Sequence, residues 1–294
     1  MSTTADRTGT IGDRLINWAL RGLIGLALVM PYRFRVPLFG RLVAGLIAPL
    51  AGYRARAQRQ LAHVWPDMDP AERARIARAC CDNFGRTMIE NYSRRGFRAR
   101  IGQTPITGDG LAALDEARAA GRPVLFLTGH FGNFEAPRQA LANRGHVIGG
   151  LYRPMANPYF NAHYARTMET MSGPVFAQGR RGMAGFVRML KGGGMGTLLF
   201  DVRATAFPEI DFLGQPAPTA TSAAEIALKL DAVLIPYFGT RAANGLDFEI
   251  ALEAPIPHTD PATMTREATR RLEARVRAHP EQWFWVHRRW SKSV

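Results

Sequence analysis

The chain has 294 residues, of which 47% are hydrophobic and 21% are charged, a composition typical of globular proteins and not of disordered ones. Its only cysteines, Cys80 and Cys81, are adjacent, which excludes a disulfide scaffold and a zinc-finger spacing. The formal net charge is +14, and because only three of the 38 basic residues are lysine, 35 are arginine. A surface this basic attracts anions: nucleic acid, anionic lipid or an acidic carrier protein.

The N-terminal third of the chain holds most of the positive charge and the most hydrophobic segments. Residues 1–100 contain 17 arginines and 7 acidic residues, a net charge of +10. Basic and apolar residues together favour a membrane surface over nucleic acid. The sequence also lacks the zinc fingers, RNP-like strands and basic zippers of nucleic-acid-binding proteins, so we expect no nucleic-acid partner.

Two apolar segments make residues 1–53 the predicted membrane-attachment region. Residues 15–32 carry a single charge, that of Arg21, and residues 42–53 are interrupted by a proline. Only 11 uncharged residues separate Arg21 from Arg33, whereas a spanning helix needs about 20 apolar residues. The pattern leaves three alternatives open: a spanning or half-inserted anchor, an interfacial helix, and a pair of helices buried against the domain.

A secretory signal peptide fits this region poorly, because no A-x-A cleavage sequence precedes Pro31. Membrane attachment is therefore the favoured interpretation. The arginines that lie between and behind the two segments favour a cytoplasmic location for the rest of the chain, by the positive-inside rule.

The rest of the chain alternates between predicted helices and strands. Asp69 is a predicted N-cap, with Pro70 at the first helical position, for a helix that runs to Tyr92. Further helices are predicted at residues 111–120, 133–143, 159–171, 182–190, 221–230 and 265–278, and strands at residues 124–127, 147–152, 175–176, 197–200, 232–238 and 248–252. This alternation predicts an α/β fold over residues 54–294: a mostly parallel central sheet flanked by helices, behind a helical, membrane-associated N-terminal region.

Residues 128–135, with the sequence TGHFGNFE, carry the strongest catalytic signal. His130 follows a predicted strand, at the sheet edge where α/β proteins place functional residues, and Glu135 lies in the first turn of the next helix. A strand-to-helix turn can bring the two side chains together, and an ionised carboxylate on one imidazole nitrogen leaves the other nitrogen as a base. The pair predicts general-base catalysis on a hydroxyl. The alternative is a structural histidine bound to backbone carbonyls at the strand end.

The histidine–glutamate spacing resembles the H-x-x-x-x-[D/E] block of the lysophospholipid/glycerol-phosphate acyltransferase superfamily. Within that superfamily the chain resembles the late acyltransferases of lipid A biosynthesis, the lauroyl and myristoyl transferases. The other matching blocks are R-Q-L with W-P-D-M in residues 59–68, Y-R-P with N-P in residues 152–158, D-F-L-G with A and T in residues 211–219, and P-E-Q-W-F-W-V-H-R-R-W in residues 280–290. The blocks follow the family's order, and the family also has an apolar N-terminal anchor.

This resemblance implies a membrane-associated acyltransferase on the cytoplasmic side of the bacterial inner membrane. His130 would take the proton from a hydroxyl of an anionic lipid A precursor, and Glu135 would orient and charge-stabilise the imidazole. The hydroxyl oxygen would then attack the thioester of acyl-carrier protein, the co-substrate, with no cofactor. The absence of a G-x-S-x-G sequence agrees with direct transfer, and the net charge of +14 suits an acidic carrier protein and a phosphorylated glycolipid.

The resemblance also implies residues that bind the substrates. Arg153 and Arg180 would bind phosphate or stabilise the developing oxyanion, with Arg181 as the alternative to Arg180 in register. Asp201 matches the acid that opens the family's D-Q-D or D-H-D block. The predicted substrate-binding set is Arg153, Asn157, Arg180, Asp201 and Asn133. A helix cap or the partner of an acid remains the alternative role for Arg153.

Three positions, in two of the blocks, depart from the family pattern. Val202 and Arg203 follow Asp201 where the family has a polar residue and an acid, and Leu213 replaces an aromatic residue of the F-F-G block. These changes leave the His–Glu pair intact but leave the acceptor open, with a lysophospholipid, an ornithine lipid and an acylated mannoside as alternatives. A catalytically silent lipid-binding protein and a hydrolase that releases fatty acid are the alternatives from other classes.

The remaining motifs predict structure more than chemistry. The glycine-rich residues 191–196 have no Walker lysine behind them and predict a turn before a strand. The aromatic and basic residues of 283–290 fit either the membrane surface or a core strand, and His287 is expected to be structural. The histidines form no metal-ligand spacing with cysteine or acidic residues, so no metal site is expected.

Overall fold

Helices form the first third of the chain in the computed structural model, which describes residues 8–290. They are α1 (Ile11–Val29), α2 (Tyr32–Leu42), α3 (Ala48–Leu50), α4 (Tyr53–Val64), α5 (Pro70–Tyr92) and α6 (Arg94–Ile101), with a π-helical turn, Val43–Ile47, before α3. Helix α5 has the predicted bounds, because the Asp69 carboxylate accepts hydrogen bonds from the backbone N–H groups of Ala71 and Glu72. Both cysteines are buried on this helix.

One large sheet organises the rest of the chain. Its strands are β1 (Ile106–Thr107), β2 (Val124–Thr128), β3 (Ile148–Tyr152), β4 (Val175–Ala177), β5 (Met195–Leu199), β8 (Val233–Arg241) and β9 (Phe248–Leu252), in the order β1-β9-β8-β2-β5-β3-β4, while β6 (Glu209–Phe212) and β7 (Gln215–Pro218) form a separate hairpin. The helices are α7 (Gly110–Ala119), α8 (Ala136–Asn143), α9 (Pro158–Ser172), α10 (Arg180–Lys191), α11 (Ser222–Leu230) and α12 (Pro261–Ala278). In the large sheet only β8 and β9 pair antiparallel, so the predicted α/β fold with a mostly parallel sheet is confirmed.

The crevice between β2 and β5 is the topological switch point of the sheet. The chain leaves β2 through α8 towards β3, and it leaves β5 through α11 towards β8, on the other side of β2. Phe126 of β2 packs in the same cluster as α8, whereas Leu125 and Leu127 pack in the cluster that contains α11. The two crossover helices therefore cover opposite faces of the sheet. Open α/β sheets bind ligands at the carboxyl ends of their strands at such a point.

Helix α1 presents large apolar side chains to the solvent. We define the apolar face as the exposed large apolar residues of the first three helices and the π-helical turn: Ile11, Leu15, Ile16, Trp18, Leu20, Leu23, Leu26, Val29, Phe34, Leu38, Leu46, Ile47 and Leu50. Among residues 8–290, no single helix is long and apolar enough to cross a membrane. One pair, Tyr32–Leu50 followed by Tyr53–Val64, meets the criteria of length and composition together, across a bend of 86°.

The aromatic residues near the C-terminus lie in the core. Trp283 and Trp285 are fully buried, and Trp283 packs edge-on against Phe212. Of the two alternatives that the sequence leaves open for this segment, the core position is observed, although the backbone is irregular and does not form the predicted strand. The backbone N–H of Phe284 donates to the carbonyl of His130 at 3.0 Å, which brings the C-terminal segment against the loop that follows β2.

Candidate active site

His130 and Asp201 meet at the carboxyl ends of β2 and β5. The two strands pair in parallel with Thr128 opposite Leu199, so the residues that follow them lie side by side. Nδ1 of His130 lies 2.8 Å from Oδ1 of Asp201, and the backbone N–H of His130 donates to Oδ2 at 2.7 Å. The indole N–H of Trp283 donates to the same Oδ2 at 2.8 Å. All three contacts fix one orientation of the carboxylate relative to the imidazole.

The Asp201 carboxyl is ionised although its side chain is only 1% exposed. Burial opposes ionisation, but the attraction of the His130 imidazole and the two hydrogen bonds from His130 hold the pKa of this carboxyl well below its usual range. Because an ionised carboxylate only accepts hydrogen bonds, Nδ1 of His130 carries a proton, and the neutral imidazole has its free lone pair on Nε2. A Cβ atom on Gly129 would lie 2.9 Å from Oδ2, so glycine at this position allows the close approach.

The sequence predicts that Glu135 contacts the His130 imidazole, but in the structure it does not. Its Oε2 lies 3.3 Å from Nη1 of Arg138, which is three residues further along the same helical turn, and both side chains are buried. Arg138 in turn donates to the carbonyls of Ile148, Gly173 and Pro174. Among residues 8–290 no hydrogen bond joins Glu135 to His130. Asp201 occupies the place predicted for Glu135, and Glu135 instead helps to fix the wall of the site.

Asn133 is fully buried and does not line the cavity described below. Its side-chain amide donates to Oε2 of Glu90 at 2.8 Å, and its Oδ1 accepts the backbone N–H of Glu135 at 3.0 Å. The carboxylate of Glu90 also pairs with Arg241 at 2.6 Å, so Asn133 belongs to a buried network that joins α5, β8 and the loop after β2. The predicted substrate contact is corrected to a structural role, because both polar atoms of the side chain already have protein partners.

Asn157 is the N-cap of α9. Its Oδ1 accepts the backbone N–H groups of Tyr159 and Phe160, each at 3.1 Å, and its amide donates to the carbonyl of Asp13 at 2.8 Å. Nε of Arg14 donates to the Tyr159 hydroxyl at 2.9 Å. The predicted substrate-binding role is corrected here as well: Asn157 begins a helix and attaches α1 to the domain.

The cationic side chains divide into those that line the cavity and those that do not. Arg153 lines it from the carboxyl end of β3, and its contact with substrate stays a prediction. Arg180 and Arg181 are exposed at the start of α10, and neither lines the cavity. Two arginines that the sequence did not single out as substrate ligands, Arg203 and Arg288, also line it. The cation at Arg203 was visible in the sequence only as a departure from the family's acid.

A cavity of about 760 Å³ opens beside His130. Cavities of this size accommodate small organic ligands. Polar groups at the strand ends contribute to its lining, and much of the remaining lining is apolar: Leu151, Met155, Met168, Val175, Met183, Leu198, Leu199, Ala223 and Ile226. The site can therefore hold an apolar chain next to a histidine base. Within residues 8–290 no group of three or more histidine, cysteine or acidic side chains could hold a metal ion.

A mostly parallel sheet with a histidine–carboxylate pair at its switch point, open to a large cavity, is the arrangement of an α/β enzyme. Comparison of the sequence with known families identifies the class of enzyme. Residues 6–292 match the family model of the bacterial lipid A biosynthesis acyltransferases, so the chain belongs to this family and the resemblance noted from its motifs is confirmed.

Curated relatives extend over nearly the whole chain. The lipid A biosynthesis acyltransferase of Haemophilus influenzae is 25% identical over 274 residues, which cover 90% of this chain and 83% of the relative. The lipid A biosynthesis myristoyltransferase of Escherichia coli is 24% identical over 277 residues, covering 90% and 83%. The lipid A biosynthesis lauroyltransferase of the same organism is 24% identical over 285 residues, covering 93% and 90%.

Proposed function

We propose that this acyltransferase moves a fatty acyl chain from acyl-carrier protein to a hydroxyl of a lipid A precursor, with His130 as the general base and Asp201 as its partner. The observation that carries the mechanism is the 2.8 Å contact between Nδ1 of His130 and the buried Asp201 carboxylate. It leaves Nε2 available on a side chain that is 23% exposed and lines the cavity. The family membership carries the reaction class.

The reaction follows from this geometry in two steps. Nε2 of His130 accepts the proton of the acceptor hydroxyl while its oxygen forms a bond to the thioester carbon, and the carbonyl electrons move onto the carbonyl oxygen. Asp201 stabilises the imidazolium that forms. Collapse of the tetrahedral intermediate then breaks the carbon–sulfur bond, and the leaving thiolate takes the proton back from His130. No acyl-enzyme is needed.

The arginines at the cavity provide the positive charge that anionic substrates require. Arg153, Arg203 and Arg288 all line it, and a guanidinium binds phosphate through two parallel hydrogen bonds. The acceptor lipid and the prosthetic group of the carrier protein both carry phosphate. Arg180, which is exposed and lies outside the cavity lining, remains a candidate for contact with a substrate headgroup or with the carrier protein.

The apolar face supports attachment to a membrane, which we propose to be the inner membrane with the α/β domain on its cytoplasmic side. Apolar side chains this large and numerous are rarely left in water on one surface. Arginines accompany them in the same helices, at Arg21, Arg33 and Arg41, and such a combination binds anionic lipid surfaces. An acceptor that is itself a membrane lipid would reach the cavity from this surface.

Membrane binding is expected to depend on α1. Leu15, Trp18 and Leu26 lie on one side of the helix and are 57%, 65% and 70% exposed. Replacing all three by serine is expected to lower partitioning onto anionic vesicles by about tenfold or more, because burial of a large apolar side chain contributes about 1.5–3 kcal/mol. Vesicle flotation measures this. Val147→Ser is the control, since Val147 is 62% exposed but lies outside the N-terminal helices. Equal binding by the triple variant and the wild type would contradict the proposed surface.

The acceptor is tested by mass spectrometry of total glycolipids from cells that lack the gene. We expect lipid A to lose one acyl chain, and we expect the wild-type protein but not His130→Ala to restore it. The mass difference then gives the chain length. A change in another lipid with lipid A unaltered would show that the acceptor is wrong. Restoration by His130→Ala would instead favour the silent lipid-binding alternative.

The donor is tested with purified protein. We expect faster transfer from an acyl-carrier thioester than from the same acyl group on coenzyme A. Release of free fatty acid without transfer to any lipid would identify a hydrolase, in which water takes the place of the acceptor hydroxyl.

A further inference from the structure

His287 lies directly against His130 and is not used in the mechanism above. The two imidazoles make an edge-to-face contact with ring centroids 4.4 Å apart, and His287 makes a second such contact with Phe284 at 4.8 Å. The backbone N–H of His287 donates to the carbonyl of Phe284, which fixes the ring at the end of the C-terminal aromatic segment. His287 also lines the cavity.

The ring nitrogen Nε2 of His287 is buried and has no hydrogen-bond partner within residues 8–290. Buried polar atoms are nearly always paired, because an unpaired one loses its hydration without compensation. The packing around His130 would be equally well served by a phenylalanine, which carries no such cost. What distinguishes His287 from other residues with an unpaired atom is that its ring lines the cavity and contacts the base, where a bound substrate can provide the missing partner.

His287 is neutral in the folded protein. Burial lowers the pKa of its imidazole to about 3, helped by repulsion from His130 when that ring is protonated and from Arg289, and opposed by Asp201. At neutral pH the ring neither accepts a catalytic proton nor carries a charge. A neutral imidazole can still donate one hydrogen bond, and other enzymes use such a donor to polarise a substrate carbonyl.

We propose that Nε2–H of His287 donates a hydrogen bond to the carbonyl oxygen of the acyl thioester and stabilises the oxyanion that forms there. This inference rests on the proposed function. While His130 takes the hydroxyl proton and the new carbon–oxygen bond forms, the carbonyl electron pair moves onto the oxygen that His287 faces. The hydrogen bond shortens as charge develops, and no proton passes to or from His287. When the carbon–sulfur bond breaks, the electron pair returns and the hydrogen bond relaxes.

The positions of the other donors favour His287 for this role. The reacting carbon must lie within about 3–3.5 Å of the oxygen that His130 deprotonates, so the oxyanion forms close to the His130 ring. His287 is in ring contact with it. The cationic side chains at the cavity, Arg153, Arg203 and Arg288, are assigned above to the phosphates, and those of Arg153 and Arg288 are exposed.

The test compares His287→Phe with His287→Gln in the purified, full-length protein, using an acyl-carrier thioester and a lipid A precursor. Phenylalanine keeps the aromatic packing and removes the nitrogen, whereas glutamine keeps an N–H donor at similar reach. We expect His287→Phe to lower kcat by roughly 10²–10³-fold, the effect of losing one oxyanion donor, with little change in the KM of the donor. His287→Gln is expected to retain at least about a tenth of wild-type kcat.

Thermal unfolding separates this role from simple packing. His287→Phe removes an unpaired buried atom, so this variant is expected to unfold at the same temperature as the wild type or above it, although its kcat is lower. Near-wild-type kcat for His287→Phe would overturn the inference and leave the proposed function intact. Equally low kcat for both variants would also overturn it, in favour of a packing role. If the wild type transfers no acyl chain to any lipid, the proposed function fails and this inference fails with it.

Discussion

A protein with asparagine in place of His130 is expected to transfer acyl chains about 10⁴-fold more slowly than the wild type, the upper end of the range for general-base catalysis. The upper end is expected because the same nitrogen takes the hydroxyl proton and later returns a proton to the leaving thiolate. Asparagine is the sharper choice than alanine. Its amide nitrogen can replace Nδ1 as a donor to Asp201, so the buried carboxylate keeps a partner while the base is lost.

Initial rates of acyl transfer, measured with purified protein and saturating donor, test this prediction. His258→Asn is the matched control, because Nε2 of His258 lies 2.9 Å from the carbonyl of Ala232, before the first residue of β8 and therefore at the opposite end of the sheet from the cavity. The control is expected to have wild-type kcat. A His130→Asn variant with more than about a tenth of wild-type kcat would remove His130 from the chemistry.

The sequence is sufficient to predict the strands of the large sheet other than β1. Strand β2, for example, is a short, mostly apolar run that is buried at every position and differs from the helical pattern around it. Its errors have local causes. Strand β5 begins at Met195, two residues earlier than predicted, where a glycine conceals the apolar run. Helix α12 begins at Pro261 because Asp260 caps it, a start signal that lies before the amphipathic pattern.

Two strands that the sequence did not predict, β1 and β7, depend on their pairing partners. Strand β1 has two residues, and only its pairing with β9 makes it a strand. Strand β7 has the sequence QPAP, which has little intrinsic preference for a strand and is held by the hairpin with β6. Neither has a pattern of its own that a local argument could use.

A partner that no local pattern reveals also explains the error at the active site. Spacing along the chain pointed to Glu135, five residues from His130, whereas the observed partner Asp201 is 71 residues away. Both His130 and Asp201 could be placed at strand ends from the sequence. That their strands are neighbours follows from the strand order β8-β2-β5-β3, which is set by the crossovers and by packing on both faces of the sheet. Glu135 found a nearer partner in Arg138, on its own helix.

Asp201→Asn is expected to lower kcat by roughly 10³–10⁴-fold without unfolding the protein, the effect seen when a histidine base is held in the wrong tautomer. The structure explains why the tautomer would change. Oδ2 accepts two N–H donors, from the His130 backbone and from Trp283, so the amide oxygen of asparagine must take that place. The amide NH₂ then faces Nδ1, which has to accept, and the imidazole proton moves to Nε2. The base loses the lone pair that the reaction requires.

Glu135→Gln is the comparison that assigns the carboxylates. Glutamine keeps an oxygen for Arg138 and is expected to retain kcat within about tenfold of the wild type, whereas Glu135→Ala is expected to lower the thermal stability because it leaves Arg138 buried without its acidic partner. Kinetics and thermal unfolding of the three variants distinguish the roles. If Glu135→Gln were the slow variant and Asp201→Asn the fast one, the motif glutamate would be the partner of the base after all. We expect Asp201→Asn to be the slow variant, because the Asp201 carboxylate contacts the His130 imidazole, whereas the Glu135 carboxylate binds Arg138 in the cavity wall.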